Sequence, residues 1–146
     1  MAPERSSALP VLQGDVGEAL ESGSDERVLE AVERHGGVDE VLDAVFAQMA
    51  ESFRPDRAQG REATAHYRLA GPGGVHAYTV RVEGDRCTAE RGEQGEPRFA
   101  VDAGVPDFLR LVTGRQDQMQ AFFTGKLKIS GDMFFAQGYQ RWFDVG

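Results

Sequence analysis

The chain has 146 residues, 40% hydrophobic and 27% charged, a balance that fits one globular domain rather than a disordered tail. No apolar run approaches the ~18–20 residues of a membrane span, and the opening Met1-Ala-Pro-Glu-Arg lacks the continuous apolar stretch of a signal peptide. The expected setting is therefore cytoplasmic. The net charge of −8 sits in residues 1–62, with 14 acidic and 6 basic side chains, whereas residues 63–146 carry 10 of each. No basic stripe is left for a phosphate backbone, which argues against nucleic-acid binding.

Residues 1–24 hold Pro3, Pro10, Gly14, Gly17 and Gly23 among Ser and acidic residues. They predict a mobile leader, dispensable for folding, with a weak helix at 15–21. A single domain is expected over 25–146. Ser24 suits an N-cap, and Val28, Leu29 and Val32 follow at helical spacing up to Arg34, where His35-Gly36-Gly37 stops the helix. A second helix is expected over Val38–Phe53, with Val38, Val41, Leu42, Val45, Phe46, Met49 and Phe53 on one apolar stripe. Pro55 ends it.

A period-two region comes next. Ala63, Ala65, Tyr67 and Leu69 alternate with Thr64, His66 and Arg68 up to the turn Gly71-Pro72-Gly73-Gly74. Centring the hairpin on Pro72-Gly73 sets Tyr67 against Tyr78, Ala65 against Val80 and Ala63 against Val82, which gathers apolar side chains on one face. A turn at Gly84-Asp85 adds Cys87 and Ala89 to that face. A loop over Gly92–Pro97 leads to a fourth strand over Arg98–Asp102. Pro106 at a first-turn position opens a helix over Val105–Val112. A short helix over Asp117–Phe123, a fifth strand over Lys126–Ser130 and a last helix over Met133–Phe143 complete the pattern.

Catalytic motifs are missing. His35 sits in a helix-ending turn, and His66 and His76 point to opposite faces of the hairpin, so no histidine metal site is expected. HExxH, GxSxG and GxGxxG do not occur. Gly125-Lys126 is only superficially like a phosphate loop. Cys87, on the apolar sheet face, suits an inert thiol. Asp132 suits the start of the last helix. No cofactor is expected. The informative feature is surplus apolar side chain near the C-terminus. Phe135, Ala136, Tyr139, Trp142 and Phe143 already make a docking stripe, and Met133 and Phe134 lie off it.

The segment Phe108-Leu109-Arg110-Leu111-Val112-Thr113-Gly114, followed by Ala121-Phe122-Phe123-Thr124-Gly125-Lys126-Leu127-Lys128-Ile129-Ser130-Gly131-Asp132-Met133, resembles the sterol carrier protein type two family of non-specific lipid-transfer domains. The resemblance covers about 38–143. It implies an α+β fold, a five-stranded, largely antiparallel sheet with helices on one face and a hydrophobic tunnel between them. It also implies non-catalytic binding and transfer of a sterol, fatty acid or fatty acyl-CoA. Carried onto this chain, the tunnel-facing candidates are Phe108, Leu109, Val112, Met119, Phe122, Phe123, Leu127, Ile129, Met133, Phe134 and Phe135. Family members often have small or aliphatic residues where Phe134 and Phe135 stand, so ligand size is open. The chain ends Asp144-Val145-Gly146 without a peroxisomal address, and a bacterial source is the simplest reading. The alternative is a small enzyme that cyclises or rearranges a hydrophobic natural product in the same pocket, with Tyr67, Tyr78, His76 and Tyr139 as polar candidates. The partner expected is a hydrophobic small molecule. Transient contact with a membrane surface and a protein partner for the acidic N-terminal segment stay open.

Overall fold

A computed structural model describes residues 14–143 of the chain. Three helices come first: α1 (Gly14–Ser22), α2 (Asp25–Arg34) and α3 (Val38–Glu51). Ser24 caps α2 by accepting from the Arg27 amide. Gly37, at φ +99°, donates its amide to the Val32 carbonyl and turns the chain into α3. A one-turn helix, α4 (Pro55–Ala58), starts at Pro55, so that proline opens an element as well as closing one. Helix α3 stops at Glu51, short of the expected Phe53, because Phe53 bridges to Phe143 in extended conformation.

The expected leader over 1–24 divides. Residues 1–13 lie outside the described residues. Gly14–Ser22 is a packed helix, with Val16 fully buried and Leu20 nearly so. Val16, Ala19 and Leu20 lie at i, i+3 and i+4 and form the apolar face that docks α1 against α2 and a later helix, α5 (Val105–Val112).

The sheet has five strands: β1 (Ala63–Gly71), β2 (Gly74–Glu83), β3 (Arg86–Arg91), β4 (Phe99–Gly104) and β5 (Leu127–Gly131). Their spatial order is β3-β2-β1-β4-β5. The two hairpin registers are those expected, with Tyr67 opposite Tyr78, Val80 opposite Ala89 and Val82 opposite Cys87. β4 pairs parallel to β1 and antiparallel to β5. One face collects Ala65, Tyr67, Leu69, Val80, Phe99, Val101 and Leu127, and the helices cover it. Helix α3 lies over β2 and β3, and α5 over β1 and β4.

The parallel pairing of β1 and β4 forces residues 92–98 to cross the opposite face of the sheet. This strap is tied down in sequence. Thr79 donates its hydroxyl to the Gly92 carbonyl, the Gln94 amide donates to Thr79 Oγ1, and the Gln94 carbonyl lies 3.0 Å from His66 Nε2. Glu93 pairs with Arg68, and the Arg98 amide donates to the Thr64 carbonyl. His66 and Thr79, on the polar side of the hairpin, are therefore buried beneath it. Two further helices flank β5: α6 (Gln118–Phe123), capped by Asp117, and α7 (Met133–Tyr139), which runs into a 3₁₀ turn over Gln140–Trp142.

Candidate functional site

The interior between sheet and helices is an aromatic seam. Phe46 of α3 stacks on Tyr78 at 4.3 Å between ring centres and on Phe108 at 5.3 Å, and meets Tyr67 edge-on at 5.2 Å. Farther along, Tyr139 meets Phe99, Trp142 and Phe143 within 5.7 Å. Such contacts add specific geometry to the large area that each ring removes from water. The seam carries one polar pair. The Tyr67 hydroxyl donates to the Tyr139 hydroxyl at 3.1 Å in a fully buried setting. Burial pushes the Tyr67 phenol up to about 12 and raises that of Tyr139, so both stay protonated near neutrality.

The eleven candidate side chains separate into three groups along the path from this seam to the surface. Phe108, Leu109 and Leu127 are buried in the core. Val112, Phe122, Ile129 and Phe135 are partly buried and pack against it. Met119, Phe123, Met133 and Phe134 are exposed, Phe123 to 77% and Phe134 to 88%. The structure thus does not gather all eleven around one enclosed space. It sets four partly buried side chains between a filled core and a greasy rim. Among the described residues, four of the five large exposed apolar side chains fall within 119–134, the fifth being Val75 near the start of β2. Solvated apolar side chains occur singly on most surfaces, whereas here they recur within one short segment, on the helices before and after β5.

This rim is held by local chemistry. Gly131, at φ +91°, closes β5 so tightly that a Cβ there would lie 2.7 Å from the Arg98 carbonyl oxygen. Asp132 then caps α7, accepting from the Phe135 amide at 3.0 Å and pairing with Arg98 at 3.1 Å. The backbone bond and the guanidinium together hold its carboxyl below the usual range. Arg98 also covers the Phe135 ring at 4.1 Å. The exposed Phe134 is therefore fixed at the first turn of a capped helix.

The polar candidates for enzyme chemistry do not converge. His76 Nδ1 pairs with Asp39 at 2.8 Å, and Tyr78 donates to Asp43 at 2.6 Å, both at the edge where α3 meets β2. Tyr67 neighbours Tyr78 across the hairpin, but its hydroxyl turns to Tyr139 instead, so the two phenols serve different partners. Burial pushes the half-buried Cys87 thiol up to about 12, away from nucleophilic reactivity. Among the described residues no three His, Cys, Asp or Glu side chains are placed to share a metal ion, and no helix is long and apolar enough to cross a membrane.

Sequence reasoning missed two features. One is Phe46 as the hub of the seam, although its stripe was legible. The other is Arg110, which is 8% exposed and reaches Asp25 at 2.7 Å and Asp107 at 3.2 Å. The Asp107–Arg110 spacing of i, i+3 was a visible signal for that cluster.

Among solved structures the chain resembles an inverting sec-alkylsulfatase from Pseudomonas sp., with a TM-score of 0.63 at 16% identity over 82% of this chain and 21% of the enzyme. It also resembles palmitated sterol carrier protein 2 like 2 of Aedes aegypti, with a TM-score of 0.56 at 18% identity over 71% and 91% of the two chains. These likenesses concern the fold alone. By sequence it is 35% identical to human sterol carrier protein 2 over 71 residues, which is 48% of this chain and 13% of that protein. A profile of the SCP-2 sterol transfer family, a family of lipid binding and transfer, matches residues 42–144. That stretch contains the whole sheet, the aromatic seam and the greasy rim, and the chain belongs to the SCP-2 sterol transfer family.

Proposed function

We propose that the protein is a non-catalytic carrier that takes up the hydrocarbon part of a sterol, fatty acid or fatty acyl-CoA along β5 between α6 and α7. The observation that carries this reading is the concentration of exposed apolar side chains between 119 and 134, backed by Val112, Phe122, Ile129 and Phe135. A tail laid on the rim meets partly buried side chains before it meets the packed seam. Outward movement of Phe135 or Phe122 would extend this surface inward toward Leu127 as a tunnel. Each methylene removed from water contributes about 0.8 kcal/mol. A ~16-carbon tail supplies ~13 kcal/mol, and an association cost of at least ~4 kcal/mol leaves binding in the micromolar range. The same rim is the surface that meets a membrane when lipid is exchanged. Lys128, the second residue of β5, is exposed on the face of the sheet opposite Leu127 and Ile129 and stands apart from the rim.

Calorimetry on delipidated protein with palmitate, palmitoyl-CoA and cholesterol tests the reading. Saturable micromolar binding of at least one is expected, and it should weaken when Phe122 and Ile129 are both changed to Ser. Absence of binding by all three ligands overturns it.

A further inference from the structure

On the side of the molecule where α1 meets α5, a concavity of about 420 Å³ is lined by Leu20, Glu21, Arg110, Arg115, Gln116 and Lys126. Three of these are cations, in a chain whose net charge is −8. The wall formed by α1 lies outside the family-matched stretch 42–144.

Arg110 supplies the decisive observation. Its side chain is nine-tenths buried. Nη1 takes both carboxylates, Asp25 at 2.7 Å and Asp107 at 3.2 Å, and Nε reaches the Leu20 carbonyl at 3.4 Å. Nη2 is buried with no partner at all. Native structures seldom leave a buried guanidinium nitrogen unbonded, and such an edge calls for an acceptor oxygen. Arg115 stands beside it, because its amide and that of Gln116 both bond the Arg110 carbonyl, at 2.8 and 3.2 Å. Its guanidinium meets Glu21 Oε2 at 3.3 Å, and Glu21 is 69% exposed and free to swing away. Lys126 is exposed, with no ion-pair partner among the described residues, and sits on the turn that joins Phe123 to β5.

We infer that this concavity is a binding site for a phosphate-type oxyanion, held by the free edge of Arg110 together with Arg115 and Lys126, with Glu21 as the carboxylate it displaces. The single unbonded Nη2 of Arg110, the Arg115 fork and one mobile ammonium supply more donors than a carboxylate uses, which favours the larger, more highly charged group. The oxyanion is either free phosphate or the headgroup of a lipid whose tail reaches the rim at Met119 and Phe123. The site stands on its own residues whether or not the carrier reading holds.

Isothermal titration of the full chain with inorganic phosphate, dodecyl phosphate and dodecanol, each lipid below its aggregation threshold, tests it. Arg115→Ala combined with Lys126→Ala removes two exposed cations and leaves the buried Arg110 cluster in place. The double variant should bind both phosphates at least about tenfold more weakly and dodecanol unchanged. Glu21→Gln should bind both phosphates more tightly. Dodecyl phosphate tighter than inorganic phosphate identifies the headgroup as the source, and equal affinities identify free phosphate. Absence of phosphate binding to the wild type, or equal phosphate affinity in the double variant, overturns the site. Dodecanol binding with no phosphate response removes the anion site and keeps the carrier. Phosphate binding that responds to the variants, without dodecanol binding, does the reverse.

Discussion

Phe46 and Phe134 show how differently one residue type is used in this chain. Phe46 is 1% exposed and touches three aromatic rings. Phe46→Ala should destabilise by about 3–5 kcal/mol, since the seam cannot collapse around the lost ring. Phe134 is held in solvent by the cap at Asp132, and Phe134→Ala should change stability by less than ~0.5 kcal/mol. Chemical denaturation of the two variants checks the contrast. Phe134 was legible as an outlier because it falls off the stripe of Phe135, Tyr139 and Trp142. Its setting was not, because a periodic pattern separates faces of a helix but does not say whether the second face meets protein, ligand or water. The same limit applies to Met119 and Phe123, named as tunnel-facing from the resemblance and found on the outside. The pairing of Arg110 with Asp25 was hidden for another reason, since Asp25 lies 85 residues away in the chain.

At the scale of elements, alternation and turn chemistry carried most of the information. Both hairpin registers follow from the Pro72-Gly73 and Gly84-Asp85 turns, because a slip of one residue would turn every apolar side chain to the wrong face. The side of β1 on which β4 pairs was not legible, since nothing local distinguishes an extended meander from a crossover. Helix α1 was underrated. Its Pro- and Gly-rich surroundings pointed to a leader, but Val16, Ala19 and Leu20 on one face bury it against α2 and α5. Leu20→Ala should therefore cost about 2–5 kcal/mol, the range for a buried leucine, and show as a lower midpoint in urea. A truncation that removes Gly14–Ser22 should lower stability as well. An unchanged midpoint in either variant would return those residues to a dispensable leader.

For the molecule as a whole, ionisable groups fasten layers together and set the pH range of stability. Asp43 joins α3 to β2 and β3, accepting from Tyr78 and pairing with both nitrogens of one Arg91 edge. Arg91 holds its carboxyl below the ordinary 3.8, and Arg68 and the α7 amides do the same for Glu93 and Asp132. The folded state thus favours the carboxylates, and the unfolded chain takes up protons first as pH falls. Their contribution is full above pH ~5 and is lost as pH drops through ~4 and below. Burial acts in the opposite direction on Tyr67, whose phenol rises from 10.0 to about 12. The unfolded chain loses that proton first, so stability falls as pH rises above ~10. Thermal midpoints between pH 2.5 and 11 should show a plateau with two falling limbs, and Asp43→Asn should make the acid limb shallower.

The strap over residues 92–98 also orders the assembly of the molecule in time. β1, β2 and β3 are consecutive and close through tight turns, so their pairing needs only short loops. β4 can join β1 only after the chain has traversed the sheet, a contact of higher sequence separation and higher entropic cost. β5, the edge strand on the far side from β3, then pairs with β4 as its one neighbour in the sheet. The meander should behave as an early folding unit and the α6–β5–α7 arm as a late, readily opened one. Amide exchange followed by mass spectrometry should find the slowest protons in β1 and β2 and the fastest strand protons in β5. Local opening of that arm would then lend and withdraw the greasy rim at little cost to the rest of the sheet.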